Sequence, residues 1–176
     1  GTEYIGARSK RVLARILLET SQLGEASGLL SEAHAQFART VGIRHARMAE
    51  VAACRSELFL IQGRFAEAEA AAARCDSLRQ EILSPEHWAL VEARLLRQRA
   101  RIGLGDADAA EPELLEMGET VRRLLGDDHA LAWAVARARL ECATASRDES
   151  LIAIRAARLA RLEHDSNRRM REESES

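Results

Sequence analysis

His45, His87 and His129 sit 42 residues apart in a chain of 176 residues that holds five histidines. A regular series of imidazoles invites a metal reading, because neutral ring nitrogens are common ligands for transition metals. The spacing argues against it. Each histidine opens its own alanine-rich helical pattern, so successive side chains are a whole repeat apart, roughly 10 Å for packed helices, and one ion cannot bridge them. A structural role at helix starts is the expectation. His34 and His164 stand alone, and no Glu-x-x-His occurs that would build a carboxylate-bridged di-iron bundle. His-Glu-x-x-His, P-loop and dinucleotide fingerprints are absent too, so neither metal nor cofactor is expected.

A nucleophilic site needs Ser or Cys beside a base. Cys142 and His129 could meet only through the fold, and no catalytic residue is expected. Cys54, Cys75 and Cys142 lie inside helical patterns without close spacing, which predicts buried free thiols. A second series is more suggestive. Arg55, Arg97 and Arg139 recur with the same 42-residue period, thickened by Arg94 and Arg101. Arginine presents a planar fork of donors suited to carboxylates, so a stack on one face could clamp an acidic or C-terminal peptide segment. The alternative pairs each arginine with nearby Glu57, Glu92 or Glu141 on a solvated surface.

The elements that must position these residues are helices. Alanine, leucine, glutamate and arginine dominate, aromatics are 3%, and proline occurs only at Pro85 and Pro112. A net charge of −2 provides no overall field to draw a polyanion or a membrane surface. No apolar run approaches a membrane span and the first ten residues do not resemble a signal peptide, so a cytoplasmic setting is expected. The helical pattern begins at once, as in a fragment of a larger protein.

The period recurs in the turns: Gly63-Arg64-Phe65-Ala66-Glu67-Ala68 is followed 42 residues on by Gly105-Asp106-Ala107-Asp108-Ala109-Ala110, and Gly24-Glu25-Ala26 precedes the first by 39. Units this small cannot bury their own apolar faces, so neighbours must share a core. The expected fold is all-α, a right-handed α-solenoid of about four helix-turn-helix repeats over 3–43, 44–84, 85–126 and 127–165. A polar tail follows at 166–176. Ser84 before Pro85, Asp106, Asp127 and the box Ser146-Arg147-Asp148-Glu149 are expected N-caps, and Pro112 predicts a local bend.

Gln62-Gly63-Arg64-Phe65-Ala66-Glu67-Ala68-Glu69 resembles the turn and second-helix start of a tetratricopeptide repeat. Leu83-Ser84-Pro85-Glu86-His87, Leu125-Gly126-Asp127-Asp128-His129 and Ala110-Glu111-Pro112 resemble the 42-residue variety found in kinesin light chains and in bacterial multidomain regulators such as serine/threonine kinases. The resemblance implies that Phe65 and the later alanine pack between helices. It also implies a non-enzymatic protein-interaction module, the scaffold or sensor part of a larger bacterial regulator, binding a partner's peptide or helix on a concave face lined by first helices. The arginines depart from the repeat pattern, standing where a buried leucine is usual. A helical nucleic-acid-binding module is the alternative, opposed by the near-neutral charge and scarce stacking aromatics; a self-association scaffold is another.

Overall fold

The computed structural model describes the backbone of residues 1–175 and the side chains of residues 1–165. The polar tail expected over 166–176 lies outside the residues whose side chains are described. Eight helices follow one another: α1 Thr2–Glu19, α2 Leu23–Thr40, α3 Ala46–Ile61, α4 Phe65–Gln80, α5 Trp88–Gly103, α6 Ala107–Leu125, α7 Ala130–Ala145 and α8 Glu149–Glu175. No strand occurs among the described residues. The chain forms two compact units, Gly1–Ala100 and Arg101–Ser176. In the first, α1 packs on α2, α2 on α3 and α3 on α4; in the second, α7 packs on α6 and α8.

The turn inside each helix pair keeps a stricter period than the glycines suggest. Ser21, Gly63, Gly105 and Arg147 are one repeat apart and all lie in the left-handed region, at φ 60, 70, 90 and 56°. The residue after each of them closes the helix in the same way. The N–H groups of Gln22, Arg64, Asp106 and Asp148 donate to the carbonyls of Leu17, Phe59, Arg101 and Ala143 at 2.9, 2.9, 3.0 and 3.2 Å. This six-residue closure satisfies carbonyls the helix end would leave bare, and it requires the left-handed residue. Gly24, which suggested a 39-residue spacing, instead lies within α2. The first turn is thus in register with the others, with serine where two of them have glycine.

The histidine series caps helices. His45, His87 and His129 immediately precede α3 and lie at the starts of α5 and α7, and their Nδ1 atoms accept the N–H groups of Arg47, Ala89 and Leu131, each at 3.1 Å. An imidazole acceptor here does what a serine or aspartate side chain does at other helix starts. Of the four expected caps, Asp106 keeps its position without a capping side-chain bond and the other three are corrected. Ser84 and Pro85 lie in the turn before α5, which begins at Trp88. The Asp127 carboxylate accepts Arg158 Nη2 at 2.7 Å, and that of Asp106, although Asp106 is the N-cap residue of α6, accepts Arg101 Nη2 at 2.7 Å. At α8 the cap is Asp148, whose Oδ1 accepts the Leu151 N–H at 3.0 Å, because the left-handed Arg147 delays the helix; Ser146 Oγ donates to Asp108 Oδ1.

Packing follows the same ruler. Ala26, Ala68 and Ala110, one repeat apart, are fully buried, since a larger side chain would hold the paired helices apart. Phe65 is only half-buried, and Ala68 takes the inter-helix position the resemblance assigned to both. Phe37 is the large buried aromatic of the first unit, edge-on to Tyr4 at 5.7 Å. Helix α6 runs through Pro112 without interruption. The three cysteines are free and buried; burial pushes the Cys54 and Cys75 thiols up to about 11 and about 12, and raises that of Cys142.

Candidate functional site

Arginines 55, 97 and 139 turn toward second helices. Arg97 Nε donates to Glu69 on α4 at 3.4 Å, and Arg139 Nη2 donates to Glu111 on α6 at 3.1 Å, each acceptor lying 28 residues earlier in the chain. The residue at that distance before Arg55 is Ser27. Arg55 has no ion pair among the described residues and lies half-buried beside His34 and Arg74. The expected local partners are overturned. Glu92 binds Arg79 at 2.7 Å, Glu141 lies 3.6 Å from Arg137, and Glu57 lines another surface. Residues two apart, such as Arg55 and Glu57 or Arg139 and Glu141, point to different sides of a helix.

The two flanking arginines are also in ion pairs. Arg94 lies 3.9 Å from Asp76, and Arg101 reaches Asp106 at 2.7 Å and Glu113 at 3.2 Å. Four of the five candidate arginines are therefore matched with carboxylates. Arg139 belongs to the tightest group, in which Glu111 also accepts Arg155 Nη2 at 2.7 Å and Arg155 Nη1 donates to the Arg139 carbonyl at 2.8 Å.

A different face of the first unit is built from first helices alone. Arg15, Leu18 and Glu19 of α1, Glu57, Leu60 and Ile61 of α3 and Arg99 of α5 enclose an open cavity of about 320 Å³. Ile61 is 51% exposed. Burial raises the Glu57 carboxyl above its usual range, against the pull of Arg15. Neither Arg15 nor Glu57 forms an ion pair among the described residues, so opposite charges and an apolar floor stand available together. Sequence reading passed over these residues, naming Glu57 only as an arginine partner. Their signal is that Arg15, Glu57 and Arg99 fall 42 residues apart.

Cys142 Sγ donates to the Ala107 carbonyl at 3.1 Å, and His129 Nδ1 is taken by its own helix. Among the described residues no cluster of His, Cys, Asp or Glu could hold a metal ion, and no helix is long and apolar enough to cross a membrane.

No protein-family model matches the chain, and no curated protein matches it. Solved structures do. A crystal structure of nearly identical TPR-like repeats, from a protein assigned as a kinesin light chain of Podosopora anserina, superposes with a TM-score of 0.66 over 92% of this chain and 76% of that one, at 18% identity. The fold is that of tetratricopeptide-like repeats. Their two-helix units account for the paired helices, the recurring left-handed turn and the buried alanine column.

Proposed function

We propose that this chain is a non-enzymatic protein-interaction module that holds a peptide or helix of a partner on its first-helix face, which would form the concave surface of the array, as the scaffold or sensor part of a larger regulatory protein. The observation that carries the reading is the first-helix cavity of the first unit, where Arg15 and Glu57 stand unpaired above Leu18, Leu60 and Ile61. A concave patch that mixes apolar floor with a few charged groups suits a side chain of one segment and the charges flanking it. A nucleic-acid ligand fits it less well, since Glu19 and Glu57 share the cavity with the two arginines.

Selection of peptides from a random displayed library against the purified chain tests the reading. Selected peptides should bind Ile61→Arg, at a half-exposed position, about tenfold more weakly or worse with its melting temperature unchanged, and Glu57→Gln more weakly as well. Equal binding by parent and variants, or preference for single-stranded RNA with a steep salt dependence, would overturn it.

A further inference from the structure

The two units carry matching cavities between second helices. One, of about 300 Å³, has His34 of α2, Met48, Val51 and Arg55 of α3 and Arg74 of α4 in its wall. The other, of about 340 Å³, has Gly118 of α6, Ala132, Val135 and Arg139 of α7 and Arg158 of α8. Each residue of the second set stands two repeat lengths after its counterpart in the first. The second unit thus serves as an internal reference for what the first unit's cavity lacks.

In the second unit both arginines have a carboxylate partner within the chain. Arg139 has Glu111 at 3.1 Å, and Arg158 has Asp127 at 2.7 Å. The corresponding residues of the first unit are Ser27 and Ile43. Arg55 is left without an ion pair among the described residues, and Arg74 donates only to the Ile43 main-chain carbonyl, at 3.2 Å. The one acid in the wall, Glu67, is engaged by the Arg64 guanidinium, whose Nε lies 2.6 Å from it. Two guanidiniums beside an apolar floor, each missing the carboxylate its counterpart has, make a vacancy of defined charge.

We infer that this cavity is a second binding site, which takes a glutamate or aspartate side chain from an acidic peptide segment of a partner, seated between Arg55 and Arg74. The chain's own solution in the other unit shows the fitting group: a carboxylate carried on a polypeptide, held by charge-assisted hydrogen bonds. Phe59 and Ala70, which keep accessible surface in the wall, would cover apolar residues next to the acid. The site is separate from the first-helix face and does not depend on it. Burial and the two arginines hold the His34 imidazole below its ordinary range, so it faces the ligand as a neutral donor and reports the charge that arrives.

The test is fluorescence anisotropy with a labelled peptide alternating glutamate and leucine, against its glutamine counterpart, glutarate and inorganic phosphate. The glutamate peptide should bind at least about tenfold more tightly than the glutamine one, a difference of about 1.4 kcal/mol. Ser27→Glu, which supplies Arg55 with the partner Arg97 and Arg139 possess, should weaken the peptide about tenfold while raising the melting temperature, and Arg55→Leu should weaken it similarly. Arg97→Leu should leave it unchanged. Bound peptide should raise the His34 pKa followed by NMR. Undiminished binding to folded Ser27→Glu would overturn the proposal, as would equal affinity for the glutamine peptide. Phosphate or glutarate binding as tightly as the peptide would overturn its peptide source. Because Ile61→Arg leaves this cavity untouched, failure here and failure at the first-helix face are distinguishable.

Discussion

Arg155 on α8 reaches Glu111 on α6 at 2.7 Å, and the same carboxylate holds Arg139 on α7. One acid thereby ties together three helices of the second unit. Arg155 is the one charged residue buried among the described residues, so removing its partner strands a buried charge. Such losses cost about 3 to 5 kcal/mol. Glu111→Ala should therefore sharply lower the melting temperature. The equivalent pair of the first unit, Arg97 with Glu69, is longer and half-exposed; Glu69→Ala should cost about 1 kcal/mol or less. Thermal denaturation of both variants reads the contrast, and equal losses would contradict it.

The histidine caps predict a second outcome. His87→Ala removes the acceptor for the Ala89 N–H and should cost about 1 kcal/mol, whereas His87→Asp or His87→Asn should recover most of that loss, because both are good N-caps. Urea denaturation midpoints decide. A destabilised Asn variant as poor as the alanine one would mean that the imidazole acts through packing.

The turns predict a third. Arg147 holds a left-handed backbone that an L side chain adopts at a cost, so Arg147→Gly should stabilise the chain by up to about 1 kcal/mol. Gly63→Ala places a Cβ in the same conformation and should destabilise by about 1 to 2 kcal/mol, although nothing lies within 4 Å of the added atom. A neutral Gly63→Ala would show that the turn tolerates another conformation.

Much of the fold was legible in the sequence because the 42-residue period was written in residues with strong local meaning, histidine and glycine. What escaped has a physical reason. Ser21 and Arg147 carry no turn signal of their own, so Gly24 and Ser146 stand out beside them in the sequence; only hydrogen bonding across the turn forces Ser21 and Arg147 left-handed. The arginine series is visible in the sequence, but its partners lie on another helix rather than along the same one. Glu69 and Glu111 are themselves one repeat apart, and Ser27 one repeat earlier breaks their series, a pattern that becomes meaningful once α3 and α7 are seen to pack on the preceding second helices and Arg97 of α5 to reach Glu69 of α4.

Glu57 gives a pH prediction. Burial raises its folded carboxyl above the ordinary 4.5, with Arg15 opposing, Glu92 and Glu19 adding to the rise and Arg99 opposing it. The folded state therefore binds the proton more tightly than the unfolded state, and stability falls as pH rises from the unfolded value through the folded one. Glu57→Gln should remove that part of the slope and raise the melting temperature at pH 7. An unchanged slope in the variant would mean that the carboxyl is solvated.

Peptide binding on the first-helix face is read most directly by mapping backbone amide shifts by NMR while a library-selected peptide is added. The largest shifts should surround Arg15 and Leu18 on α1 and Glu57 and Ile61 on α3, the residues of one cavity. Shifts confined to second helices, with those amides unmoved, would contradict it.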